Sequence, residues 1–244
     1  IGEIKNLDFK NEPVKASREI NKWAAKNTNN KIPTIVQPEN FNKYTRAVLT
    51  NAIYFKGEWI EQFDKDDTKD EDFFITPTQS TRVPMMGLFE ESFNYVERDG
   101  VQIIELPYKG DKISMLIMLP RLEGGESRFN SYGETTNMTQ LEAMLNESKL
   151  REWREELRIQ ELNVFLPKFT FETSYKLADI FKEMGMVLPF EERKADFSGI
   201  DGTELLYIDE VLHKAFVDVN EEGTEAAAVT AIVMNVPTSA RITH

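Results

Sequence analysis

The sequence predicts an α+β fold on three observations: β-rich apolar segments longer than an average strand, amphipathic helical stretches scattered among them, and no regular strand–helix–strand alternation. At 244 residues the chain can bury a substantial core. The 29 Lys and Arg stand against 42 Asp and Glu, a net charge of −13. That balance opposes nonspecific attraction to nucleic acid or anionic membrane, so neither is expected as a partner. No cysteine is present, which removes disulfides, thiol catalysis and cysteine-based zinc sites. No apolar run approaches the roughly 20 residues that span a bilayer.

Residues 1–9 read as a short strand, and Asn11 with Pro13 reads as the start of a helix over 12–26. Val14, Ser17, Ile20, Trp23 and Ala24 fall on one face, and the Asn27-Thr-Asn-Asn30 cluster ends it. Residues 45–59 are too rich in β-formers for a surface helix and predict a buried strand closed by Lys56-Gly57. The densest charge, Asp64-Lys-Asp-Asp-Thr-Lys-Asp-Glu-Asp72, reads as a solvated loop rather than a metal site. Strands over 102–107 and 113–120 flank Tyr-Lys-Gly-Asp, which is hairpin chemistry.

The polar stretch 123–137 reads as a loop, followed by a helix over 139–157. A long strand over 159–171, interrupted at Pro167, precedes a helix over 174–184 that Gly185 terminates. The last ordered strand is expected over 206–220. Asn137-Met-Thr and Asn146-Glu-Ser match the glycosylation sequon, a pattern short enough to arise by chance.

The run Val217-Asp-Val-Asn-Glu-Glu-Gly-Thr-Glu-Ala-Ala-Ala-Val-Thr-Ala-Ile-Val-Met234 is unusual because an alternating strand passes through Gly223 into small residues. In an extended chain Thr224, Ala226, Ala228 and Thr230 share a face on which nothing exceeds threonine, while Glu225, Ala227, Val229 and Ala231 share the other. Composition alone supports an alanine-rich helix capped by Thr224 equally well.

Residues 217–230 resemble the hinge of the reactive-centre loop of the serpins, the serine protease inhibitors. Three further blocks carry the resemblance in the family's order: Leu49-Thr-Asn-Ala-Ile-Tyr-Phe-Lys-Gly-Glu-Trp59, Leu106-Pro-Tyr to Leu119-Pro120, and Leu166-Pro-Lys-Phe-Thr-Phe171 with its helix to Gly185. The resemblance implies the serpin fold, with a large central antiparallel sheet, a second sheet system and surrounding helices, here in the loop-inserted, cleaved form. It implies one serpin domain over 1–244, with hinge and reactive-centre loop at 221–244. Residues 45–59 then form a central strand, 206–220 lead into the loop, and 12–26 form the helix across the sheet.

The implied function is suicide inhibition of a serine protease, in which the cleaved loop enters the sheet before the acyl-enzyme hydrolyses. The hinge maps onto Glu221, Glu222, Gly223, Thr224, Glu225, Ala226, Ala227 and Ala228. Asn51 and His213 match a shutter pair, hydrogen-bonded across facing strands. Trp59 and Lys168 match the sheet's upper opening, where Lys168 can pair with Glu221 or simply be a surface lysine. Counting from the hinge glycine places the attacked bond at Pro237-Thr238, and proline suits few serine proteases. A longer loop offers Arg241-Ile242, which fits a trypsin-like partner, with Met234 as a third candidate. The resemblance also implies a fragment without the family's preceding helical region and following strands, completed by companion chains. No cofactor or metal is implied.

An enzyme is disfavoured: the histidines are His213 and His244, no Gly-x-Ser-x-Gly or His-Glu-x-x-His occurs, and Ser198 reads as a turn residue. Paired carboxylates stay open, because spacing in sequence does not fix separation in space. The remaining alternative is a non-inhibitory serpin acting as carrier, chaperone or storage protein.

Overall fold

In the computed structural model, residues 4–76, 78–121, 135–202 and 205–235 are described. The strands among the described residues are β1 (Thr45–Glu58), β2 (Lys69–Thr76), β3 (Gln79–Arg98), β4 (Val101–Pro107), β5 (Ser114–Pro120), β6 (Arg158–Pro167), β7 (Phe169–Lys176), β8 (Tyr207–Asn220) and β9 (Gly223–Asn235). The α-helices are α1 (Pro13–Asn27), α2 (Met138–Met144), α3 (Glu147–Glu156), α4 (Ala178–Glu183) and α5 (Ser198–Asp201). The chain divides into two compact units, one of residues 1–55, 170–217 and 225–244, the other of 56–169 and 218–224.

The first unit is built on a four-stranded sheet in the order β1-β9-β8-β7. β8 and β9 form a hairpin closed by Glu221 and Glu222. His213 and Thr230 each lie seven residues from their end of that turn, and their side chains meet. The segment that composition left open between helix and strand is therefore a strand along its whole described length.

The odd-numbered face of β9 is the deeply buried one. Ala227 and Val229 pack with Ala24 and Ile32, while Ala231 and Val233 pack with Ala16, Ile20, Val36 and Phe41. The even set Ala226, Ala228 and Thr230 is half-buried. α1 lies over the odd set and buries it.

α1 is shifted one residue toward the C-terminus from the expected 12–26, with Ala16, Ser17, Ile20 and Ala24 buried and Val14 exposed. Asn11 does not cap it. Its amide and side chain instead donate to the Asp8 carboxylate at 2.8 and 2.9 Å, and Glu12 at the cap makes no side-chain bond to the helix backbone. The strand expected over 1–9 is not formed in the described residues 4–9, which have no partner ladder.

β1 has the expected span, but its burial alternates, and Leu49 and Ile53 are exposed. It ends the sheet among the described residues rather than lying at its centre, because only β9 pairs with it.

The second unit holds a five-stranded sheet in the order β2-β3-β4-β5, with β6 also paired to β3. The hairpin expected at Tyr108 to Asp111 forms, Val101 facing Pro120 and Pro107 facing Ser114. Strands β2 and β3 were not legible. The acidic stretch 64–72 is a short turn capped by Asp64 and then the start of β2, rather than a loop throughout.

The single helix expected over 139–157 is two. Asn137 and Asn146 each accept a hydrogen bond from the backbone N–H three residues on, at 2.9 Å, so the second asparagine starts a new helix instead of continuing the first. Ile103, Leu141 and Trp153 form the core between these helices and the sheet.

The long strand expected over 159–171 breaks at Lys168, where β6 and β7 part into different sheets. β7 then continues to Lys176 through Thr170, Phe171 and Tyr175, types that favour strands, and takes the first residues of the expected helix. α4 is correspondingly short, and Gly185 ends it at φ 97°, a conformation suited to glycine. Most of the stretch 123–137 lies outside the described residues.

Candidate functional site

The turn that joins β8 to β9 is gripped by residues just after β1. Trp59 is fully buried; its N–H donates to the Glu222 carbonyl and its indole Nε1 to the Asn220 carbonyl, both at 3.0 Å. Phe63 N–H donates to the Glu221 carbonyl at 3.1 Å, and Gln62 Nε2 to the Glu222 carbonyl at 3.2 Å. The carbonyls of Asn220, Glu221 and Glu222 thus find donors, as buried backbone requires.

Gly223 is fixed by space rather than by dihedral angle. A Cβ there would stand 2.0 Å from the Gly57 carbonyl oxygen and 2.8 Å from Glu58 Cα. Two glycines on neighbouring strands allow the backbones to meet this closely.

Thr224 is buried beside it, and its Oγ1 accepts from Tyr108 Oη at 2.9 Å. The Tyr108 ring stacks on Trp59, centroids 4.5 Å apart and planes 12° from parallel. Burial pushes the Tyr108 phenol up, which outweighs the opposing bond to Thr224 and keeps the hydroxyl protonated as a donor.

Glu221 carries a side chain only 5% exposed. Lys168 Nζ reaches its two oxygens at 3.1 and 2.9 Å, and Thr68 Oγ1 donates to one of them at 3.0 Å. Burial alone would raise this carboxyl. The bonds from Lys168, its own backbone N–H and Thr68, with the lysine's charge, prevail and hold it below the usual range. Stability from this pair is therefore complete above the ordinary glutamate pKa and fades as pH falls through the depressed one. Glu222 is exposed and pairs with Lys65 at 2.8 Å.

Within the first unit, His213 Nδ1 lies 2.8 Å from Thr230 Oγ1, and its ring stacks near Tyr175. The expected bond between Asn51 and His213 is not formed. Because β9 lies between β1 and β8, His213 finds the threonine of β9 and Asn51 is left exposed on β1. Ala226, Ala227 and Ala228 lie in β9, and Glu225 faces the residues after α1.

Met234 is buried near the end of β9, packed with Leu206, Ile208 and Val211. Pro237, Thr238, Arg241 and Ile242 lie outside the described residues, as does His244. Ser198 opens α5, its N–H bonded to Asp196. Among the described residues no three His, Cys, Asp or Glu side chains converge as metal ligands, and no helix is long and apolar enough to cross a membrane.

Sequence reasoning missed Phe63, Thr68 and Thr230. Tyr108 stood within a quoted block but had no role there. Only Tyr108 and Thr230 carried a signal, the first as an aromatic beside Pro107 and the second as a hydroxyl on the small-residue face.

The family model for Serpin (serine protease inhibitor) matches residues 2–243. Leukocyte elastase inhibitor of Xenopus tropicalis is 41% identical over 230 residues, covering 94% of this chain and 59% of that protein. The structure of ovalbumin from emu (Dromaius novaehollandiae) aligns with a TM-score of 0.85 at 30% identity, over 98% of this chain and 59% of that one. A loop-inserted structure of a cleaved ovalbumin mutant gives the same score and identity over 96% and 59%. The chain thus spans 59% of the length of these relatives. With the family model matched almost end to end and the folds superposing, the chain belongs to the serpin family.

Proposed function

We propose that the protein inhibits a serine protease as a suicide substrate. The protease's serine attacks a bond in the segment after β9 and forms an acyl ester. Freed at that bond, residues 223–235 seat between β1 and β8, and the ester is carried away from the geometry in which water would release it. The observation that carries this reading is β9 itself, a strand of small residues held between two neighbours, with Thr224 buried at its head.

Serpin loop insertion combines two general devices, strand addition and the release of stored strain. The driving energy is that of a fold held kinetically above its most stable arrangement. The small side chains of Thr224, Ala226, Ala227 and Ala228 keep the barrier low at the head of the strand, because little there has to be forced past packed neighbours. Arg241-Ile242 is the proposed attacked bond and a trypsin-like enzyme the proposed partner, since arginine suits an anionic specificity pocket.

Mixing the protein with trypsin and separating the products under denaturing conditions tests this. A complex stable to SDS, with mass close to the sum of the protease and the trapped inhibitor, is expected, and sequencing its products locates the bond. Cleavage without any such complex, across trypsin-, chymotrypsin- and elastase-like enzymes, would support a non-inhibitory carrier, chaperone or storage role instead.

A further inference from the structure

The loop after α1 is shaped as a receptor for a carboxylate. Asn29 and Asn30 both take left-handed backbone, at φ 50° and 61°, a conformation asparagine tolerates better than most residues. Buried Thr28 fixes the turn: its Oγ1 donates to the Ala24 carbonyl at 2.8 Å and accepts from the Ile32 N–H at 3.1 Å. Asn29 and Lys31 are thereby aimed at the same point as Tyr54 from β1.

The Glu225 carboxylate occupies that point. Oε1 accepts from Tyr54 Oη at 2.6 Å and from Asn29 Nδ2 at 3.4 Å, while Lys31 Nζ lies 2.9 Å from Oε2. Lys31 is steadied by the Phe216 ring, 5.2 Å away. Against burial, the bonds from Tyr54, Lys31 and Asn29 hold Glu225 below the usual carboxylate range, and the same contact pushes the Tyr54 phenol up. Acceptor and donor are therefore both in their required forms at neutral pH.

Glu225 is the one charged side chain in residues 223–235. A charge entering a sheet is costly unless partners await it, and alanine would slide in more easily. Its presence needs a return. Alanine and threonine also distinguish poorly between one register and the next, while a slip of one residue would turn Ala227, Val229, Ala231 and Val233 out from under α1.

We propose that Glu225 is a positioning residue for strand insertion: docking on Tyr54, Asn29 and Lys31 fixes the register and the face on which residues 223–235 seat. This rests on the trapping reading above. The carboxylate enters near the head of the strand, so the register is set early and the residues behind it follow in step.

The test compares wild type with Glu225→Gln, Lys31→Ala, and the exchanged pair Lys31→Glu with Glu225→Lys. Two readouts are taken: the ratio of SDS-stable complex to cleaved product with trypsin, and the melting temperature of the loop-cleaved form against the uncleaved one. Each single change is expected to move the ratio roughly tenfold toward cleaved product, the weight of one charge-assisted hydrogen bond. Each should also lower the melting temperature of the cleaved form while sparing the uncleaved one, and the exchanged pair should recover most of both losses. Single variants that behave as wild type, or an exchanged pair no better than the singles, overturn the proposal. Wild type separates this from the parent reading. If it forms no complex but still gains melting temperature on cleavage, trapping of trypsin fails and the melting data alone decide the role of Glu225; if it does neither, both readings fall.

Discussion

Thr224→Arg is expected to abolish the proposed trapping and leave an ordinary protease substrate. In β9 Thr224 is 4% exposed, hydrogen-bonded to the phenol of Tyr108, which is itself stacked on the indole of Trp59. A guanidinium placed there faces two aromatic rings in a site shaped for a hydroxyl. Burying a charge without a counter-charge costs on the order of several kcal/mol, enough to stop the head of the strand from entering. Trypsin should still cut the segment beyond β9, but the SDS-stable complex should vanish and the melting temperature should not rise on cleavage. Thr224→Ser, which keeps the hydroxyl, should retain both. If the arginine variant still formed complex, the burial of residue 224 would have no part in insertion.

Gly223→Val should produce the second large effect, on the cleaved form. The added Cβ would overlap the Gly57 carbonyl oxygen at 2.0 Å, and both contacts are backbone, which cannot rotate away. Either the turn at Glu221 and Glu222 or the end of β1 has to move. That movement strains the bonds from Trp59 and Phe63 to the turn carbonyls. Overpacking of this kind costs about 3 kcal/mol, and the melting temperature of the cleaved form should fall on the order of 10 °C. An unchanged value would mean that the close crossing of the two glycines is not kept in solution.

The turn at 221–222 also shows where sequence reasoning stops. Small residues in 223–231 announced a segment able to pass between strands, but the same alanines announce a helix, and only pairing with β1 and β8 decides between them. Lys168 and Glu221 were legible as a pair through family resemblance, and they lie within hydrogen-bonding distance. Asn51 and His213 were legible as a pair too, yet β9 stands between their strands and gives His213 the Thr230 hydroxyl instead. Pairing across a sheet depends on which strands are neighbours.

Other misses have local causes. Asn146 reads as an interior polar residue of one helix until its side chain is seen capping the next. β3, 20 residues long, went unrecognised because Pro84, Gly87 and a run of polar residues break its alternation, and it bends at Glu90 with φ 57°. Composition does not tell which face of β9 lies deepest, and α1 selects the odd-numbered set through Ala16, Ile20 and Ala24. Tyr54, Asn29 and Lys31 carry no pattern that links them to a glutamate nearly two hundred residues away.

Hydrogen exchange of the backbone amides of residues 224–235, measured by mass spectrometry before and after proteolysis beyond Asn235, is the most direct test of insertion. The account predicts rapid exchange in the uncut protein and strong protection once the bond is broken, when these amides join ladders with β1 and β8. Equal exchange in the two forms, whether fast or slow, would contradict it.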